Sequence, residues 1–383
     1  MLLSSDQLFK DAAAVLMTKL SNFRTIQLAH RRHLIGDSFD DRLGVSLRLE
    51  VQRRKIDDSV LIESTGKRLQ VNDFQRQFWE SANSNDWLSA SAPTAAGKTY
   101  LVSQWLVDQV RSGTLSKAIY LAPTRALVSE IESSLRSIIG ENSNISVSSL
   151  PLRSEYNSAL GKSDSVIFIL TQERIHLLAN AMENQLSIDL LIVDEAHKIG
   201  DNQRGVILQD AVERIGRTNK NLRIVFISPA TQNPEELLRD SPENVRSFAL
   251  NSDSPTVIQN LILAEQVPRK PKEWRMSLRH GGTDLPIGTL CLKSSPSTAQ
   301  KRLAFIAAVA GERGGTLVYA NGAADAENIA DLISQMIAHP AEKDQELVDL
   351  ADLSRKTIHP GYRLAPLVET GVAFHYGNMP SIV

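Results

Sequence analysis

Ala92-Pro93-Thr94-Ala95-Ala96-Gly97-Lys98-Thr99 is the stretch on which the fold turns. Trp87-Leu88-Ser89-Ala90-Ser91 before it has the character of a short strand, and Tyr100 to Val110 after it carries apolar residues at helical spacing. A chain that passes from strand to helix through small residues leaves several backbone N–H groups unpaired and aimed into one cavity. Those donors, together with the helix N-terminus, make a phosphate cradle built from Thr94, Ala95, Ala96 and Gly97. Lys98 adds a point charge between β- and γ-phosphates, and Thr99 offers a hydroxyl to Mg²⁺. A loose match of this kind can arise by chance at any helix start. The strand before it, the helix after it and a second motif downstream argue against chance.

That second motif is Asp194-Glu195-Ala196-His197, directly after the apolar run Leu190-Leu191-Ile192-Val193. A carboxylate at this position emerges at the carboxyl end of a sheet, where doubly wound folds bind ligands. Asp194 is expected to hold Mg²⁺ on a triphosphate, directly or through water, and Glu195 to orient and help deprotonate an attacking water. An isolated acidic pair is more simply read as a helix N-terminus favoured by the dipole. The pairing with Lys98 and Thr99 reverses that preference, the two motifs being expected to converge from neighbouring strands. His197 has no cysteine or histidine cluster around it, so it is read as a link from the ATP site to a nearby loop rather than a zinc ligand.

Short Ile- and Val-rich runs recur around these motifs: Ala118-Ile119-Tyr120-Leu121-Ala122, Val166-Ile167-Phe168-Ile169-Leu170 and Ile224-Val225-Phe226-Ile227, with another strand expected within 145–150. Strands apolar on both faces, alternating with polar helical stretches, predict a parallel sheet with helices on both faces. Residues 1–70 are expected to be a helical arm, with Leu8, Ala12, Val15, Leu16 and Leu20 as its apolar stripe. Arg31, Arg32 and His33, then Arg48, Arg53, Arg54 and Lys55, make this arm locally basic; a solvated helix face and a phosphate-binding patch both fit. The sheet is expected to occupy 71–242. From 243 to 383, repeated prolines and then Thr316-Leu317-Val318-Tyr319-Ala320, read as a buried parallel strand, predict an incomplete second α/β domain.

The 383 residues allow at least two cores, and the formal charge of −2 gives a nucleic-acid partner no help from bulk charge, so any such site must be a local groove. Cys291 is the only cysteine, which excludes an internal disulfide and a cysteine metal cluster; flanked by Leu290 and Leu292, it is expected to be buried. The sequence has no stretch apolar enough to span a bilayer and no secretory pattern at its start, so no membrane partner and a cytoplasmic location are expected.

Taken in order, the motifs resemble those of superfamily 2 nucleic-acid helicases of the DEAH-lettered kind, over about 70 to 383. Ala92–Thr99 and Asp194–His197 are similar to motifs I and II. Gln75, in Phe74-Gln75-Arg76-Gln77, resembles the upstream glutamine that reads adenine. Pro123-Thr124-Arg125-Ala126-Leu127 and Thr171-Gln172-Glu173-Arg174 resemble motifs Ia and Ib, which in that family grip strand phosphates. Ser228-Pro229-Ala230-Thr231 resembles motif III, usually Ser-Ala-Thr, with Pro229 inserted; with His197 it would couple hydrolysis to strand movement. Gly315–Ala320 resembles motif IV, and Gly371-Val372-Ala373-Phe374-His375-Tyr376-Gly377-Asn378-Met379-Pro380 resembles a segment of the Ski2-like branch. Each lesser motif also has a plain reading from its residues: Arg125 as an exposed arginine, Thr171 as a helix cap, Ser228 and Thr231 as satisfiers of turn backbone, Phe374 as a core edge.

The resemblance implies a RecA-like P-loop NTPase sheet, a truncated second RecA-like domain, ATP and Mg²⁺ as cofactors, and single-stranded DNA or RNA as partner. Motifs V and VI are expected after the Gly371 segment, and the sequence stops before both; a missing C-terminal portion or a protein partner is expected to supply them. Arg363 is not placed like a motif VI arginine. Two functions follow: an ATP-dependent helicase or translocase, or a catalytically weak ATP- and nucleic-acid-binding fragment that acts through a partner. A P-loop ATPase without nucleic acid explains Lys98 and Asp194 but not the Pro123–Leu127 and Thr171–Glu173 segments.

Overall fold

The structure is a computed structural model; it describes residues 5–36, 39–140, 144–161, 165–182, 186–200, 202–219, 221–253, 260–311, 314–337, 344–377 and 379. Helices α1 (Ser5–Lys19), α2 (Phe23–Arg31) and α3 (Val45–Asp57) open the chain. The buried face of α1 is Asp11, Ala14, Val15 and Thr18, one heptad of i, i+3, i+4, i+7 spacing, while Leu8, Leu16 and Leu20 of the expected stripe are exposed. The polar Asp11 turns inward because Arg42 reaches it with two guanidinium bonds, Nε at 2.8 Å and Nη2 at 2.7 Å. The basic residues of α3 are matched by acids: Arg48 with Asp41, Arg54 with Glu50, Lys55 with Asp40, and Arg53 with Glu50 and Asp57. The arm's positive charge is therefore largely neutralised where it was densest.

The expected helix does not continue to residue 70. Residues 59–70 form an antiparallel hairpin, β1 (Ser59–Ile62) and β2 (Lys67–Gln70), turning at Gly66 with φ +66°. Val60 and Val71 anchor it in the core that follows, and the buried Asp108 carboxylate accepts from the Glu63 and Ser64 amides at 3.2 and 2.8 Å.

The elements that follow alternate: α4 (Asp73–Ser84), β3 (Trp87–Ser91), α5 (Lys98–Arg111), β4 (Lys117–Leu121), α6 (Arg125–Ile139), β5 (Ile145–Ser148), α7 (Arg153–Gly161), β6 (Ser165–Leu170), α8 (Gln172–Ala181), β7 (Leu190–Val193), α9 (Asn202–Thr218), β8 (Arg223–Ser228) and β9 (Ser247–Asn251). Their strands form one parallel sheet of order β5-β6-β4-β7-β8-β3-β9. Period-two alternation sends Leu88, Tyr120, Ile169 and Ile192 to one face, beneath Leu101 and Trp105 of α5 and Leu135 of α6. Ile119, Phe168, Leu191 and Phe226 go to the other, against Leu178 of α8 and Ile215 of α9. Both faces are covered, which is why the inner strands are apolar throughout. The topology is that of a RecA-like α/β sheet.

The chain separates into two compact units, Met1–Ile258 and Gln259–Val383, so β9 closes the edge of the first unit's sheet. In the second unit, β10 (Leu261–Gln266), β11 (Glu273–His280) and β12 (Thr283–Cys291) make an antiparallel sheet, followed by α10 (Ala299–Ala310), α11 (Ala323–Ser334), α12 (Gln345–Thr357) and α13 (Leu364–Val368). The expected parallel strand at Thr316–Ala320 is not formed: Leu317 and Tyr319 are 79% and 85% exposed. A β-prone run needs a neighbouring strand to pair its backbone, and no described strand lies beside it. Cys291 is exposed, contrary to expectation, because alternation along the chain turns Leu290 and the buried Leu292 to one side and the thiol to the other. Phe374 packs on Leu364, Leu367 and Val368, with its ring stacked on Tyr376 at 5.9 Å. Pro255, Asn378 and Pro380 lie outside the described residues.

Candidate nucleotide and strand-binding site

The loop between β3 and α5 forms a single 3₁₀ turn, Thr94–Ala96, and then reverses through Gly97 at φ +70° before Lys98 opens the helix. The left-handed backbone alone selects glycine here, and the spacing reinforces it: a Cβ on Gly97 would sit 2.9 Å from Gln75 Nε2. The Ala95 side chain lies outside the described residues. Lys98 is buried, and its ammonium donates to the loop's own carbonyls, Ala92 O at 2.6 Å and Pro93 O at 2.9 Å. Burial pulls its pKa below the usual lysine value, opposed by the charges of Glu195 and Asp194.

Asp194 follows β7 and is also buried. Its Oδ2 accepts from the Tyr120 hydroxyl at 3.0 Å and its Oδ1 from the Glu195 amide at 2.9 Å. Burial raises its carboxyl above the usual aspartate range, while the Tyr120 and Glu195 bonds act in the other direction. The motifs do not lie on neighbouring strands as expected, since β8 separates β3 from β7. Tyr120, which holds Asp194, comes from β4 on the other side of β7. Glu195 adopts φ +52°, a left-handed conformation rare for a residue with a side chain. His197 Nδ1 lies 3.5 Å from Glu195 Oε2 without hydrogen-bond alignment.

Gln75 belongs to a capping box at the start of α4: its Oε1 accepts from Asn72 N at 3.1 Å, and Asn72 Oδ1 accepts from Gln75 N at 2.9 Å. Its Nε2 donates to Ala96 O at 3.0 Å, which ties the cap to the phosphate loop. One lone pair and one N–H of the amide remain for a further partner.

The intervening strand β8 carries the motif III residues. Ser91, last in β3, donates to Pro229 O at 3.0 Å and accepts from the Thr231 amide at 2.8 Å, with Thr231 Oγ1 at 3.1 Å. The turn after β8 is thus fastened to the root of the phosphate loop. Ser228 Oγ is buried with no hydrogen-bond partner among the described residues. Tyr120 and Ser91 were missed in the sequence, where each reads only as a strand residue.

On the far side of β7, the ends of β4 and β6 lead into α6 and α8. Thr124 caps α6 through Leu127 N at 3.3 Å, and Thr171 is the N-cap residue of α8 without a side-chain bond. Pro123, Thr124, Arg125, Thr171, Glu173, Arg174 and Leu177 line one open groove of about 500 Å³. Arg125 is exposed, whereas Arg174 donates to Ser149 O at 2.7 Å. Two helix N-termini and two guanidinium groups make this an anion-accepting surface. Arg363, in the second unit, is ion-paired with Glu327 at 2.8 Å and with Asp331.

Among the described residues, no helix is long and apolar enough to cross a membrane, and no group of three or more His, Cys, Asp or Glu residues is placed to hold a metal. The DEAD/DEAH box helicase family model matches residues 72–238. The chain is 27% identical over 308 residues to the ATP-dependent DNA helicase Hel308 of Methanocella arvoryzae, covering 76% of this chain and 37% of that protein. It is 28% identical over 176 residues to the ATP-dependent DNA helicase MPH1 of Candida albicans, covering 46% of this chain and 14% of that one. Helicase Lhr of Mycobacterium smegmatis, solved with ssDNA and AMP-PNP, superposes with a TM-score of 0.48 at 19% identity, covering 75% of this chain and 38% of that one. The chain therefore spans well under half the length of these relatives, and the family match falls on the sheet that carries its phosphate loop.

Proposed function

We propose that the chain is the ATP-binding part of a superfamily 2 nucleic-acid helicase or translocase of the DEAH-lettered, Ski2-like kind, with Mg²⁺–ATP as cofactor and single-stranded DNA or RNA as partner. The observation that supports this reading is the buried Asp194, bonded to Tyr120 and acting with Glu195 on the charge of Lys98, with the Arg125–Arg174 groove across β4 and β6 at the same end of the sheet. The donor set fits a hard divalent cation, because the Thr99 hydroxyl and the Asp194 carboxylate supply oxygen only. When bound, Mg²⁺ neutralises charge on the terminal phosphates. Lys98 and the loop amides hold the phosphates, Gln75 offers its remaining lone pair and N–H to adenine, and Glu195 orients the attacking water and takes up its proton.

Arg125 and Arg174 grip the strand backbone, a contact indifferent to base identity. The Ser91–Thr231 link carries changes at the phosphate loop to the turn after β8, and His197 extends the same connection from Glu195. A second reading, weak hydrolysis that requires a partner, is favoured by Arg363 being ion-paired with Glu327 and Asp331 rather than available to a phosphoryl group. The location proposed is the cytoplasm, where ATP is supplied. ATP hydrolysis measured with and without single-stranded oligonucleotides tests the proposal. Stimulation by strands that is lost in Lys98→Ala supports a motor; strand and nucleotide binding without stimulated turnover supports the second reading, and no nucleotide binding by the folded chain overturns both.

A further inference from the structure

We propose that Tyr120 is a positioning residue that fixes the carboxylate of Asp194 for a divalent cation; the inference rests on the Mg²⁺–ATP reading above. Tyr120 is 0% exposed, in β4, on the sheet face that packs beneath α5. Phenylalanine would fill the same volume in that hydrocarbon layer, so what distinguishes the residue is its hydroxyl. A buried phenol needs a partner, and this one donates to Asp194 Oδ2 at 3.0 Å.

Asp194, as a carboxylate, can only accept, so the single phenolic proton goes to it. Asp194 is held at both oxygens, Oδ2 by Tyr120 and Oδ1 by the Glu195 amide, so its carboxylate plane is set before any cation arrives. Without the phenolic oxygen, the Asp194 plane would lose one of its two restraints. Tyr120 thus orders a donor that it does not itself replace. Its effect belongs to the metal-dependent part of nucleotide affinity, not to the phosphate loop.

The test is a titration with a fluorescent, non-hydrolysable ATP analogue, in EDTA and in Mg²⁺, on wild type, Tyr120→Phe, Asp194→Asn and the double variant, with thermal unfolding as the check on folding. Tyr120→Phe is expected to keep its EDTA affinity within about twofold and to lose roughly tenfold of the gain conferred by Mg²⁺, the scale of one charge-assisted hydrogen bond. The double variant is expected to be no worse than Asp194→Asn alone, since both changes act through one carboxylate. A full Mg²⁺ gain in Tyr120→Phe, or losses that multiply in the double variant, would reduce Tyr120 to a packing residue. Wild type that binds the analogue with no Mg²⁺ gain, or not at all, overturns the Mg²⁺–ATP reading itself. Should Tyr120→Phe fail to fold, wild type labelled with ¹³C at the tyrosine ζ position decides. The Tyr120 resonance is expected to move when Mg²⁺ joins the nucleotide, and a resonance that stays still overturns the proposal.

Discussion

Replacing Arg125 by alanine isolates the strand-binding half of the site. Arg125 opens α6 in the groove shared with Arg174, and its exposed guanidinium has no side-chain partner among the described residues, so its removal leaves the fold's hydrogen bonds intact. Each phosphate neutralised on a single strand contributes about 0.7 to the slope of log affinity against log salt. With both arginines on phosphates, a fourfold rise in salt weakens their joint contribution by about sevenfold; with one, by between two- and threefold. Fluorescence anisotropy of labelled single strands across that salt range reads the difference directly. Arg125→Ala is expected to give a slope shallower by about 0.7, equally for every base sequence, with an unchanged melting temperature. Arg174→Ala is expected to give the same change of slope and, in addition, a stability loss of about 1 kcal/mol, because its bond to Ser149 O is a structural one. An unaltered slope in Arg125→Ala, or a loss confined to particular sequences, would refute the groove as a backbone grip.

The other expectations concern the nucleotide half. Burial raises the Asp194 carboxyl, so the folded state disfavours its charge, and stability falls as pH rises from the unfolded to the folded pKa. Asp194→Asn is therefore expected to melt higher at neutral pH, by about 2–4 °C per kcal/mol relieved, while losing Mg²⁺-dependent nucleotide binding; a lower melting temperature would contradict this. For the same reason, Mg²⁺-dependent binding in wild type is expected to fade on acidification at a higher pH than an exposed aspartate would give, which a pH series of titrations checks. Gln75→Ala removes the bonds to Asn72 N and Ala96 O, and urea unfolding is expected to show a loss of about 1–2 kcal/mol, with a smaller preference for ATP over GTP. Ser91→Ala deletes the oxygen shared by Thr231 and Pro229; strand-stimulated hydrolysis is expected to fall further than basal hydrolysis, and equal falls would separate that link from coupling.

The sequence exposed those parts of the molecule whose chemistry is local. A small-residue loop between strand and helix, and acids after an apolar run, announce themselves because their neighbours in the chain are also their structural context. β4, β6, β7 and β8 were legible because a strand covered on both faces must be apolar throughout. Strand order was not legible: nothing in the residues says that β8 comes between β3 and β7. The role of Tyr120 depends on that order, so it was invisible too. The β1–β2 hairpin was hidden in polar sequence, its fold secured by the distant Asp108 carboxylate. Thr316–Ala320 misled in the opposite sense, since strand propensity is realised only beside another strand. The basic residues of α3 fitted a solvated face and a phosphate patch alike, because the acids that pair with them are identified only once the chain is folded.

The ammonium of Lys98 is held by the carbonyls of Ala92 and Pro93, so the loop satisfies its own cation from within. On the proposed function, an arriving triphosphate would exchange two acceptors for others and have no naked cation to rescue, which would moderate the free energy released on capture. The same carbonyls would take the charge back when a product departs, a return point from which a cyclic device would gain.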